Sequence, residues 1–263
     1  MTTPHPPVFV ISTGRTGSTL LQRLLNCHPD LVIWGEHHGF LSGLAGAWVA
    51  MSQLRGNLFP LESESNPGPS LLLPMLTRPD VGIEWANPYS AEDFGNLARA
   101  FISNYFSSKL KPHQSWGFKE IRYNNLPTLN AIRKLFPDGR FVFNTRDLKD
   151  VVRSKLYAFV KEQNFTKMER STLVQTITEA SQAIQEHYAT YERFMEENPD
   201  LSTTVRYEDI LADPLGEVSR VLTHAGLEPA GLDRDLLDQV MASVVSRTKR
   251  DDDISLLIDQ IIT

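Results

Sequence analysis

The stretch ISTGRTGSTLLQRLL, residues 11–25, decides how the rest of the chain is read. Val8, Phe9, Val10 and Ile11 lead into it as an apolar, β-branched strand, and Leu20, Leu21, Leu24 and Leu25 leave it on one face of a helix. Between them lies a turn built on Gly14 and Gly17. A strand, a Gly-rich turn and a helix start aim several unpaired backbone N–H groups at one point. The helix dipole adds partial positive charge there, so the arrangement suits an anion. Gly14 and Gly17 let the backbone approach closely, Thr16, Ser18 and Thr19 offer hydroxyl donors, and Arg15 offers a fork of donors to phosphate oxygens. Nucleotide loops that end in Gly-Lys-Ser/Thr put their lysine on the β/γ-phosphates. Here Ser18 follows Gly17 directly and Arg15 is the only cation of the turn, which argues against an ATP or GTP hydrolase.

Outward from the loop, strands and helices alternate. Strands are expected at 8–12, 31–34, 115–119, 140–145 and 202–206, and helices at 17–27, 91–109, 125–136, 148–160, 172–197, 214–225 and 232–245. Thr172 followed by Gln175 reads as a capping box for the long helix, and Gly226 as a left-handed stop for the helix before it. This alternation predicts an α/β fold: a P-loop-like central parallel sheet of about four to five strands with helices on both faces. Ligands then collect at the carboxyl ends of the strands. The expected organisation is a single domain over 1–263, with an irregular insertion at about 40–90 and a C-terminal helical segment at about 214–263. Ten of the 16 prolines fall before residue 90, several of them between 58 and 80.

The chain has 263 residues and is 41% hydrophobic, enough for a sizeable core. Its 26 Lys and Arg against 32 Asp and Glu give a net charge of −6, the wrong balance for nucleic-acid binding. One cysteine, Cys27, excludes an internal disulfide and a multi-cysteine metal site. No apolar run reaches the ~18 residues of a membrane span, and residues 1–7 carry no signal pattern, so a cytoplasmic protein is expected.

A second anion site is predicted in RFVFNTRDLKDVVRSKL, residues 140–156, where a strand ends at Arg146 and Ser154 follows eight positions on, about two turns into the next helix. Together with TGRTGSTLL (13–21) and VRYEDILADP (205–214), this segment resembles the sulfotransferases that use 3′-phosphoadenosine-5′-phosphosulfate (PAPS), in family order over roughly residues 8–227. The resemblance implies PAPS as co-substrate without a metal, the loop of Gly14 to Thr19 on the 5′-phosphosulfate, Arg146 and Ser154 on the 3′-phosphate, and Tyr207 near the bound nucleotide. HPDLVIWGE (28–36) is similar to the carbohydrate and tyrosine-protein branches, whose glutamate is the base, which makes Glu36 the base here. A carboxyl among apolar neighbours holds its proton more tightly than in water, which suits a base working near neutrality. WGFKEIRY (116–123) is similar to a family segment whose lysine contacts the sulfuryl group, which assigns Lys119 a catalytic part, with Arg15 beside it and Arg122 as helper. Lys119 paired with Glu120 or another surface acid is the ordinary alternative. His37 and His38 are rivals for the base. Arg247, Lys249 and Arg250 are candidates for a further 3′-phosphate loop. The expected acceptor is a carbohydrate, glycolipid or secondary-metabolite hydroxyl in a bacterial cytoplasmic enzyme. The apolar stretch 39–51 would wall its pocket, and a homodimer is compatible with this reading. A small-molecule kinase, and a non-catalytic nucleotide-binding protein of the same fold, are the alternatives.

Overall fold

The computed structural model describes residues 5–53, 90–159, 168–244 and 253–262. The proline-rich stretch at 58–80 and the cations at 247, 249 and 250 lie outside them. One five-stranded sheet is built from β1 (Val8–Ser12), β2 (Leu31–Trp34), β3 (Ser115–Glu120), β4 (Arg140–Thr145) and β5 (Ser202–Arg206). Their order is β2-β3-β1-β4-β5, and every neighbouring pair is parallel. Around it run α1 (Ser18–Leu25), α2 (Phe40–Gln53), α3 (Ala91–Ser107), α4 (Leu126–Leu135), α5 (Leu148–Phe159), α6 (Arg170–Glu197), α7 (Tyr207–Ala212), α8 (Pro214–His224), α9 (Arg234–Ala242) and α10 (Asp253–Ile261). The chain steps outward from β1 to β2 on one side and to β4 and β5 on the other. That reversal opens a crevice at the carboxyl ends of β1 and β4, where open α/β sheets hold their ligands.

Period-two alternation splits β1 between two cores. Val8 and Val10 join Val142 and Val205 under α1, α8 and α9, against Leu21, Leu24, Val221 and Leu237. Phe9 and Ile11 face the other way with Phe118, Phe141 and Phe143, against Ile102 and Phe106 of α3, Ile132 of α4 and Tyr191 and Phe194 of α6. With β1 buried along its whole length, both faces of the sheet need apolar cover, and the continuous run VFVIS supplies it. A third cluster joins Val151, Val152 and Leu156 of α5 to Ile177 and Ile184 of α6 and Ile258 of α10.

The helix ends follow local chemistry. Asn125 caps α4 through Thr128 N–H at 2.9 Å, and Asp213 caps α8 through Gly216 N–H at 2.9 Å. Gly226 is left-handed, φ 76°, and the Leu227 N–H reaches back to the Leu222 carbonyl at 2.9 Å, closing α8. The capping box expected at Thr172 is not there. The helix starts at Arg170 after Glu169, whose side chain makes no cap, so Thr172 is already inside its first turn. Gln175 instead donates to Glu179 at 2.8 Å. The phase of the apolar face was legible from periodicity, but the start of the helix was not. Among the described residues, no helix is long and apolar enough to cross a membrane.

Three partly buried histidines tie stability to pH. Burial lowers the pKa of His187, with Lys155 adding to the effect, and burial lowers that of His224, with Arg140 adding to it. Burial also leads the net lowering at His37. The unfolded chain takes up these protons near pH 6.5 while the folded chain resists them. The stabilisation is therefore complete above about pH 6.5 and is lost as pH falls below it. The urea midpoint is expected to drop between pH 7 and pH 5, and to drop less in His224→Gln. A midpoint equal at both pH values contradicts this.

Candidate active site

At the end of β1 the chain enters the left-handed region three times, at Gly14 (φ 78°), Arg15 (φ 65°) and Gly17 (φ 81°). Gly17 has a second reason to be glycine, because a Cβ there would run into the ring of Tyr207. Thr16 is fully buried and its hydroxyl donates to Asn144 Oδ1 at 2.8 Å. Asn144 in turn donates to the Val205 carbonyl at 3.1 Å, so the loop is anchored to β4 and β5. The hydroxyl of Thr16 is thus engaged by the scaffold, contrary to the expectation that it would donate to an anion. Among the described residues no side chain caps α1; of its first-turn N–H groups Leu20 bonds the Gly17 carbonyl at 2.8 Å, while Ser18 and Thr19 line the cavity described below.

Arg15 and Ser154, 139 positions apart in sequence, meet here: Arg15 Nε donates to Ser154 Oγ at 3.0 Å. Arg146 is held from three sides. Its N–H donates to the Tyr188 hydroxyl at 3.0 Å, and that hydroxyl donates to the Arg146 carbonyl at 2.8 Å. Its guanidinium lies over the Tyr207 ring, 4.5 Å from the centroid, and Nη2 stands 3.4 Å from Asp150 Oδ2. Its Nε is buried with no hydrogen-bond partner among the described residues. A cavity of about 580 Å³ collects Arg15, Ser18, Thr19, Arg146, Ser154 and Tyr207 and runs on toward Leu20 and Leu211. The two segments read from sequence as anion sites therefore line one cavity.

A second cluster forms at the ends of β2 and β3. Lys119 Nζ lies 2.5 Å from Glu36 Oε1, and Arg122 Nη1 lies 3.3 Å from Glu36 Oε2. The Lys119 side chain is 5% exposed and that of Glu36 is 32% exposed. The surroundings of Glu36 are therefore two cations rather than the apolar neighbours expected, because both β3-end cations turn toward the β2 end. Lys119 does not pair with Glu120, whose oxygen Oε1 takes Arg122 at 2.7 Å. Of the two rival histidines, His37 packs edge-on against Phe40, Phe106 and Phe118 and sits 2.6 Å from the Tyr123 hydroxyl, turned into the aromatic core. His38 is exposed and left-handed, φ 56°. Gly14 lies over Ile121, two residues beyond Lys119, so the β1 loop and the β3 end adjoin.

Sequence reading missed two supports of this region. Tyr188 lies in the long α6, where its helical spacing reads as core, yet its hydroxyl clamps both backbone groups of Arg146. Lys155, next to Ser154, donates to Thr13 Oγ1 at 3.3 Å, and burial lowers its pKa. Among the described residues, no three His, Cys, Asp or Glu side chains gather as metal ligands.

A family model described as "Sulfotransferase family" matches residues 6–230. This chain belongs to the sulfotransferase family. The sulfotransferase shares its fold with a sulfotransferase from Alicyclobacillus acidocaldarius, at 14% identity over 90% of each chain and a TM-score of 0.54. It is also similar to the sulfotransferase domain of the Synechococcus PCC 7002 olefin synthase, at 17% identity, 99% of this chain and 95% of that one, TM-score 0.51. The sulfotransferase domain from the curacin biosynthetic pathway matches at 15% identity over 98% of both chains, TM-score 0.50. No curated protein matches the sulfotransferase in sequence. Membership of this family answers the kinase alternative.

Proposed function

We propose that this sulfotransferase takes the sulfuryl group from PAPS and passes it in line to the hydroxyl of a small acceptor, with Glu36 as general base. The observation that carries the reading is the single cavity in which Arg15, Ser154 and Arg146 converge above the α1 N-terminus. A dianionic 3′-phosphate suits Arg146, whose buried Nε has no partner among the described residues and whose guanidinium is already oriented by Tyr207 and Asp150. Ser154 offers it a hydroxyl. The 5′ end suits the amides of Gly17, Ser18 and Thr19 and the Arg15 side chain, all of which line the cavity, whereas the Gly14 N–H is held by Ser12 Oγ at 3.3 Å. Tyr207 presents an aromatic ring to the nucleotide.

PAPS supplies a sulfuryl group on a phosphate that leaves as an anion. Glu36 accepts the proton of the acceptor hydroxyl as the new S–O bond forms, and Arg15 and Lys119 oppose the charge that develops on the leaving phosphate oxygen. These residues need no metal for that work. A carbohydrate, glycolipid or secondary-metabolite hydroxyl is the acceptor class we favour. In support, α2 follows Glu36 within four residues and carries Phe40, Leu44 and Trp48, all only partly buried. Such a partly apolar wall suits a lipid-like or aromatic portion of the acceptor. We read residues 1–263 as one domain, since the family match spans 6–230 and α10 packs on α5 and α6.

Calorimetry with 3′-phosphoadenosine-5′-phosphate (PAP), ATP and adenosine-5′-phosphosulfate tests the donor. Tight binding of PAP alone is expected. A preference for ATP overturns the reading.

A further inference from the structure

Glu120 is the last residue of β3, and its side chain is completely buried. A buried carboxylate is costly unless its oxygens are filled by donors, and here each oxygen takes two. Oε1 accepts from the Ile121 N–H at 2.8 Å and Arg122 Nη1 at 2.7 Å. Oε2 accepts from the His37 N–H at 3.1 Å and the Gly39 N–H at 2.9 Å. Burial alone would raise the Glu120 pKa. The bonds from the Ile121 and Gly39 N–H groups, Arg122 and the His37 N–H outweigh it, so the carboxyl is held below its usual range.

Two of these four bonds lead to Glu36. The His37 N–H belongs to the peptide directly after Glu36, so one oxygen of Glu120 fixes the backbone that carries the Glu36 side chain. Arg122 Nη1 spans Glu120 Oε1 and Glu36 Oε2, at 2.7 and 3.3 Å, so the other oxygen orients the cation that holds Glu36. Lys119, one residue before Glu120, engages the remaining oxygen of Glu36. Beyond Glu36 the chain turns through left-handed His38 and Gly39, and the Gly39 N–H closes that turn onto Glu120.

We propose that Glu120 is the positioning residue for the Glu36 carboxylate, fixing its backbone through His37 and its side chain through Arg122. The proposal rests on the reading of Glu36 as the base. Each Glu36 oxygen then spends one lone pair on a cation and keeps another for the acceptor proton. Glu120 touches neither donor nor acceptor; it acts through Glu36.

The test follows PAP release from PAPS, with octyl glucoside as acceptor and with water alone, in Glu120→Gln, Arg122→Gln, Glu36→Gln and the two doubles that contain Glu36→Gln. The amide of Glu120→Gln can accept on one side only, so it releases two of the four donors. Misplacing a reacting group by about 1 Å costs on the order of 10²-fold. Glu120→Gln is expected to lower kcat by about that factor and Arg122→Gln by roughly 10-fold, with PAP affinity by calorimetry held within about twofold. Arg122→Lys restores part of the loss. In the Glu36→Gln background neither substitution lowers the residual rate further, because the effect passes through Glu36.

If either substitution cuts that residual rate as much as it cuts the native rate, or if Arg122→Gln keeps full turnover, the proposal fails. A failure of the base reading itself shows separately, as normal turnover in Glu36→Gln alone. Should Glu120→Gln not fold, Arg122→Gln carries the test, since its side chain is 41% exposed. A crystal structure of Arg122→Gln is then expected to show Glu36 displaced from its present position, and an unmoved Glu36 overturns the proposal.

Discussion

Glu36→Gln is expected to slow sulfuryl transfer by about 10²-fold or more while PAP binds as before. The substituted amide would occupy the same volume at the same strand end, so packing and donor binding are spared. What it lacks is a lone pair basic enough to take the acceptor proton. Lys119 and Arg122, 2.5 and 3.3 Å from the Glu36 oxygens, would then face an uncharged group, Arg122 keeping only Glu120 at 2.7 Å, and the amide would accept the acceptor hydroxyl's hydrogen bond less strongly than the carboxylate. KM for the acceptor is therefore expected to rise together with the fall in kcat. Turnover near normal would remove Glu36 from the chemistry and return the search for the base to this end of β2 and β3.

The second large effect is expected at Arg146. Arg146→Ala should weaken PAP binding by on the order of 10²-fold, from charge-assisted hydrogen bonds to the 3′-phosphate. Adenosine-5′-phosphosulfate, which lacks that phosphate, should lose about threefold or less. The contrast matters because Arg146 also has structural contacts, with the Tyr207 ring at 4.5 Å and the Arg15 carbonyl at 3.5 Å. If those contacts were its main role, the loop would loosen and both nucleotides would suffer alike. Equal losses in a calorimetric titration would sink the 3′-phosphate assignment.

Much of this architecture can be read from the chain because its signals are local. VFVIS, LVIW, RFVFNT and STTVR carry their β-character in their own side chains, and the strands begin and end where that composition does. β3 runs one residue beyond expectation, to Glu120, because a charged residue at a strand end looks like loop unless its partners are known. Those partners, His37 and Gly39, lie more than 80 positions away. The resemblance placed both segments on one nucleotide, but the same distance in sequence hid their direct contact, since nothing in TGRTGST or in RSKL announces that Arg15 will reach Ser154. The six-residue α7 escaped for another reason: it is too short to show a period and starts directly at the end of β5. At Glu36 the residue was legible but its surroundings were not, because the apolar letters before it point into the sheet while its own side chain meets cations from a different strand.

Arg15 is the one residue between β1 and α1 that is left-handed without being glycine, at φ 65°. A side chain in that region costs about 1 kcal/mol that glycine would largely avoid and asparagine would reduce. The turn would hold its shape more comfortably with a smaller residue, but it would then lose the cation that faces the cavity. On the proposed reading, Arg15 therefore marks a point where thermostability and donor affinity are opposed. Sequences selected only to survive heat would be drawn toward Gly or Asn at this position, and a variant library sorted on melting temperature alone would discard the cation we propose for the donor.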